Sequence, residues 1–127
     1  MMSHNQVIRE FTEVVERTAK GDAWMESHMP KITVYQAGNG FEQAADHEFV
    51  KTICNAYETQ MGNKLQIAGC MCGNDARLWR NIADCPTVIY GPGGLAQCHG
   101  IDEWVSIEDY LQVILVYAEL ILEWGTK

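Results

Sequence analysis

The order of elements along this chain predicts an α/β fold. Three observations carry that expectation: a short apolar run at 65–68, a helical segment at 75–82 and a β-branched run at 86–90. Strand, helix and strand in that order imply a parallel pair joined by a right-handed crossover. In an open parallel sheet, ligands bind beyond the carboxyl ends of the strands. Both runs end in glycine-containing loops, so the polar groups of the two loops are expected to converge on one site.

The elements follow in order. Ser3-x-x-Gln6 is a capping-box start. Val7, Phe11, Val14 and Thr18 then fall on one helical face, and Gly21 stops the helix. After Pro30, Lys31 to Gln36 alternates and is rich in β-branched residues, which predicts a strand. Gly38-Asn39-Gly40 breaks the chain and marks a boundary. A single strand cannot satisfy its own edges. The strand at 31–36 therefore joins the later sheet, pairs with a second copy, or has its partners elsewhere.

A second helix begins with Asp46 as N-cap, turns Phe49, Ile53, Tyr57 and Met61 inward, and ends at Gly62. Leu65 to Ala68 reads as a short buried strand. Asp75 caps a short helix to about Ile82, and Pro86 to Tyr90 is the next strand. Ser106-x-x-Asp109 opens the last helix, which Gly125 closes. Its broad apolar face of Tyr110, Leu111, Ile114, Leu115, Ala118, Ile121 and Leu122 is expected to be core. No internal repeat or low-complexity tract is present.

The length of 127 residues suits one ordinary domain, or a domain with a fragment of another. Apolar residues make up 47% and charged residues 20%, a globular rather than disordered balance. Nine basic against seventeen acidic side chains give a net charge of −8 with no basic cluster. That argues against nucleic acid or an anionic membrane as partner. Five cysteines, Cys54, Cys70, Cys72, Cys85 and Cys98, are odd in number and irregularly spaced. Reduced thiols and a cytoplasmic setting follow as expectations. No charged region leads into an apolar core at the amino terminus, so no signal peptide is expected. The last helix is interrupted by Glu108, Asp109, Gln112, Glu119 and Glu123, a pattern of burial rather than of a membrane span.

The groups that could carry chemistry lie between Gly69 and Val105. His99 follows the run Gly91-Pro92-Gly93-Gly94, and the acidic pair Asp102 and Glu103 stands three and four residues behind it. Neutral imidazole is the commonest metal ligand, and nearby acids can orient it. The alternative is a loop histidine that hydrogen-bonds locally. Cys70, Cys72, Cys98 and His99 offer a second arrangement, a closed tetrahedral zinc site, if both loops end on one sheet edge. Cys-x-Cys departs from the usual spacing, however, and free cysteine often acts as a small hydrophobe. A Cys98 nucleophile paired with His99 is weaker still, because sequence neighbours point apart in an extended loop. His4, His28 and His47 lie in polar, terminal or capping settings. Trp24, Trp79 and Trp104 suit packing against loops.

Asn74-Asp75-Ala76-Arg77, Ile89-Tyr90-Gly91-Pro92-Gly93-Gly94, Ala96-Gln97-Cys98-His99-Gly100-Ile101-Asp102-Glu103 and Ser106-Ile107-Glu108-Asp109 occur in order and at close spacing. Together they resemble the carboxy-terminal end of the acetylornithine deacetylase / succinyl-diaminopimelate desuccinylase family of co-catalytic zinc amidohydrolases and peptidases. The resemblance covers residues 42–127 and extends more faintly to 1–41. It implies a partial three-layer catalytic domain of parallel strands and flanking helices over 42–127. Residues 1–41 would be a helix–strand remnant of the family's small lid and dimerisation domain.

Residue by residue, the resemblance makes His99 a zinc ligand and Arg77 the partner of a substrate carboxylate, which a guanidinium fork can hold bidentately. Asn74, Gly93 and Gly94 would line the substrate, and Asp102 and Glu103 would support the histidine loop. The implied substrate is an N-acyl amino acid or short peptide, the cofactor a zinc pair and the assembly a homo-oligomer. Two positions depart from the family: Asn74 stands where threonine or serine is usual, and Cys98 where alanine is common. The family's catalytic glutamate and remaining zinc ligands come from a segment amino-terminal to the lid, which these 127 residues do not include. A catalytic zinc takes about three protein ligands, so no hydrolysis is expected of this chain alone. The competing expectation is a non-enzymatic oligomerising or binding module of the same origin.

Overall fold

The computed structural model describes residues 2–127 and divides into two compact units, Met1–Glu42 and Gln43–Lys127. The first unit opens with α1, His4–Ala19, where Ser3 Oγ accepts the Gln6 N–H at 3.3 Å as its capping position requires. The covered stripe of α1 differs from the expected one. Ala19 is buried and His4, Ile8, Thr12 and Val15 are half-buried, whereas Val7, Phe11 and Val14 are 51%, 59% and 48% exposed. The stripe is thus rotated by one residue. A short helix, α2 (Ala23–Ser27), follows, with Asp22 Oδ1 accepting the N–H groups of Trp24 and Met25, each at 2.9 Å. Five residues are too few for a periodic signal, so only the capping aspartate could have announced it. Asn39 Oδ1 accepts the His4 N–H at 3.0 Å, tying the start of α1 to the Gly38–Gly40 segment.

The second unit is organised by α3 (Glu48–Met61) and α5 (Ile107–Gly125), which pack against each other. Ile53, Ala56, Val116 and Leu120 form its buried cluster, and Phe49, Tyr57, Met61, Val88 and Tyr90 pack around it. The inward set expected on α3 is therefore the set that packs, joined by Val50, Thr52 and Ala56. Its start is shifted: His47, not Asp46, is the N-cap, and His47 Nδ1 accepts the Phe49 N–H at 3.1 Å. Gly62 ends the helix at φ +72°, a left-handed conformation that glycine adopts without a Cβ penalty. Lys127, just beyond α5, also binds α3. Its Nζ donates to Thr52 Oγ1 at 2.8 Å and meets Glu48 Oε1 at 3.0 Å.

On α5 the buried residues are Val113, Val116 and Leu120. The face expected to be core, Tyr110, Leu111, Ile114, Leu115, Ala118, Ile121 and Leu122, is exposed. Apart from the stripe of Glu108, Gln112, Glu119 and Glu123, this helix carries more apolar surface than α3 covers.

The α/β expectation is overturned. Among the described residues there is no β-strand, and the predicted strands at 31–36, 65–68 and 86–90 are irregular segments. A strand exists only through pairing with a neighbour, and none of these segments finds one. Their alternation has a different origin in at least one case. Val88 and Tyr90, two residues apart, lie on the α3–α5 cluster while Ile89 stays half exposed at 50%. A segment lying on helices yields the same apolar alternation as a half-buried strand. The structure is helical, with neither a parallel sheet nor three layers among the described residues. The remaining element is α4 (Ala76–Asn81), and no helix of the described residues is long and apolar enough to cross a membrane.

Candidate functional site

The 86–90 segment delivers the glycine loop, and α5 holds that segment in place. Tyr117 Oη donates to the Tyr90 carbonyl at 2.6 Å, and the Tyr90 ring meets those of Tyr57 and Tyr117 edge-on at 6.2 and 5.7 Å. Burial, with the two neighbouring tyrosines, pushes the Tyr90 hydroxyl above its ordinary pKa, so it stays neutral. Nothing in the spacing of the sequence announces Tyr117, because its partner is a backbone carbonyl 27 residues away.

Beyond Tyr90 the chain turns at Gly93, whose φ of +80° favours glycine, and a Cβ there would sit 3.4 Å from Val105 Cγ2. Gly93 is thus explained by the turn itself. Gly94 has open space around its Cα and precedes a short 3₁₀ turn, Leu95–Gln97. His99 and Asp102 then both adopt left-handed backbone, at φ +62° and +60°. Such conformations are uncommon outside glycine, are enriched in histidine and aspartate, and gather at functional sites. The His99 N–H donates to Glu103 Oε2 at 3.3 Å. Glu103 therefore grips the loop's backbone rather than the imidazole. The His99 side chain is exposed, and its ring makes no hydrogen bond or ion pair among the described residues.

The Arg77 region is built around Asn74. Asn74 Oδ1 accepts the Ala76 N–H at 3.0 Å, and its Nδ2 donates to the Cys72 carbonyl at 3.2 Å. Asp75 is the N-cap of α4 as expected, but its side chain makes no capping bond, and Asn74 Oδ1 takes the first helical N–H instead. Arg77 is half-buried in the first turn, and its guanidinium has no ion pair or hydrogen bond among the described residues. Arg80 instead pairs with Asp84 across the end of the helix.

These residues do not make a zinc site by themselves. Among the described residues no group of three or more histidine, cysteine or acidic side chains is placed to hold a metal, whereas a catalytic zinc takes about three protein ligands. The structure likewise does not gather Cys70, Cys72, Cys98 and His99. All five cysteines are free, and Cys70 and Cys72 touch each other with Sγ atoms 2.9 Å apart. What the loop does offer is one exposed imidazole with its ring nitrogens uncommitted, which fits a single ligand of a larger set.

Comparison with known proteins finds relatives by sequence. The chain is 24% identical over 131 residues to N-formyl-4-amino-5-aminomethyl-2-methylpyrimidine deformylase of Halalkalibacterium halodurans, covering 96% of this chain and 30% of that protein. The Bacillus subtilis protein of the same name is 25% identical over 144 residues, covering 98% and 31%. A Bacillus subtilis protein named "Putative dipeptidase YtjP" is 36% identical over 81 residues, covering 63% of this chain and 17% of that protein. The chain thus spans less than a third of the length of these relatives. No solved structure matches it. Residues 7–123 match the profile of Peptidase family M20/M25/M40, and the chain belongs to that family.

Proposed function

We propose that this chain is the carboxy-terminal part of a zinc-dependent hydrolase that cleaves the amide bond of N-acyl amino acids or short peptides, in the manner of acetylornithine deacetylase. The observation that carries the reading is the uncommitted, exposed His99 imidazole on a loop held in left-handed backbone. Family membership and relatives named for deformylation and dipeptide cleavage support hydrolysis of a C–N bond. His99 would supply one ligand to the metal. Arg77, half-buried and without an internal ion pair, would receive the substrate carboxylate, with Asn74, Gly93 and Gly94 around it and Asp102 and Glu103 shaping the loop. When bound, the metal would lower the pKa of a coordinated water and polarise the scissile carbonyl. Residues 1–41 would be the end of a lid, and their compact packing apart from the rest favours this.

The chain by itself is expected to give no turnover of N-acetyl amino acids or dipeptides with added zinc. Equilibrium dialysis should show only weak zinc binding, removed by His99→Ala. Robust turnover by the pure chain would mean that the metal site is complete within these residues, against the proposal.

One observation favours a second reading, an oligomerising module. The outer face of α5, with Leu111, Ile114, Leu115, Ile121 and Leu122 each about half exposed or more, is a contiguous apolar surface of the kind that marks association sites. A second copy is the occupant we expect in the isolated chain. Sedimentation should give a concentration-dependent dimer that Ile114→Glu disperses, and a strict monomer at high concentration would count against it.

A further inference from the structure

Cys70 and Cys72 belong to none of the roles above. They flank Met71, which is 100% exposed at the tip of its loop, and glycines 69 and 73 flank the cysteines in turn. A Cβ at either glycine would meet nothing within 4 Å, so the tip is neither wedged nor covered on this chain. The two thiols are themselves exposed, and their sulfurs lie 2.9 Å apart, against a bonded distance of about 2.05 Å. Closing that gap needs a small movement in a loop with open space on both sides.

We propose that Cys70 and Cys72 form a thiol–disulfide exchange site that takes low-molecular-weight disulfides as substrates and closes to an intrachain disulfide. The two thiols have different roles. The two sulfurs share a hydrogen bond in which either can donate; that contact, with the Cys72 backbone, holds the Cys70 thiol below its ordinary pKa and pushes the Cys72 thiol above it. Cys70 is therefore the attacking thiolate and Cys72 the resolving thiol. Cys70 attacks one sulfur of the external disulfide, forming a protein–small-molecule mixed disulfide and expelling the first thiolate. Cys72 then loses its proton, attacks the Cys70 sulfur and expels the second. The external disulfide is reduced to two thiols, and the two protein thiols are oxidised to one disulfide.

The Asn74 side chain makes this site a neighbour of α4. Its Nδ2 reaches the Cys72 carbonyl at 3.2 Å and the Cys72 sulfur at 3.7 Å, while its Oδ1 caps the helix that carries Arg77. The exchange chemistry does not rest on the hydrolase reading, since it needs only these two side chains.

The test is direct because Lys64 and Arg77 bracket a tryptic segment that contains these two cysteines and no other. The reduced chain is incubated with glutathione and glutathione disulfide at neutral pH, free thiols are blocked by alkylation, and the 65–77 peptide is weighed. The expected product is the unalkylated peptide, two hydrogen atoms lighter than its reduced form. Cys72→Ser should accumulate a single glutathione adduct on Cys70 instead, and Cys70→Ser should form its adduct more slowly. A wild-type peptide that stays fully alkylated, carries two glutathiones, or is linked to Cys54, Cys85 or Cys98 overturns the proposal.

Discussion

Ile53→Ala is expected to destabilise the Gln43–Lys127 unit by about 2–5 kcal/mol, the usual cost of removing a large buried aliphatic group and leaving a cavity. Ile53 is 3% exposed in the cluster it forms with Ala56, Val116 and Leu120. That cluster is small, and domain stability is typically only about 5–15 kcal/mol even where the core is larger. A loss at the upper end would leave much of the population unfolded at ambient temperature. Urea titration followed by circular dichroism should show the midpoint fall sharply. Ile101→Ala is the control: Ile101 is 98% exposed, and surface changes of that kind stay within about 0.5 kcal/mol. Equal effects from the two substitutions would show that the α3–α5 contact does not hold the unit together.

The same cluster explains what could and could not be read in the sequence. The helices were legible because their signals are local. Ser3, Gly62 and Ser106 each cap where the residue type predicts, and Phe49, Ile53, Tyr57 and Met61 repeat at helical spacing. Asp75 also stands at the N-cap of α4, though without a capping side-chain bond, and the ends that differ, Asp46 for His47 and Gly125 for Thr126, are off by one residue. The sheet was not legible, because pairing depends on a partner that the alternation in 86–90 does not specify. Val88 and Tyr90 alternate to lie on helices. The buried face of α5 differs from the expected one for a related reason: a helix whose apolar surface is broader than one neighbour can cover does not say which part of it that neighbour takes. Of the candidate site, the identity of the loop residues was plain in the sequence. Their backbone was not, since neither the left-handed turns of His99 and Asp102 nor the use of Glu103 on the His99 N–H follows from spacing.

In a complete hydrolase containing this chain, His99→Ala is expected to remove one metal ligand and to cost activity well beyond the roughly 10–100-fold that follows loss of an outer-shell partner. The bound metal should drop in step, because an exposed imidazole with no internal hydrogen bond has little structural work to lose. Glu103→Gln should be milder. It keeps an acceptor for the His99 N–H at the same place, so the loop's left-handed turn survives while one charge is lost. Arg77 should separate from both. Arg77→Lys keeps the charge but not the fork that holds a carboxylate bidentately, so KM should rise while metal content stays full. Metal analysis beside steady-state kinetics on the three variants therefore distinguishes ligand, loop support and substrate anchor. If His99→Ala retained both its metal and its turnover, the imidazole would be a loop residue and the assignment of the whole site would fail with it.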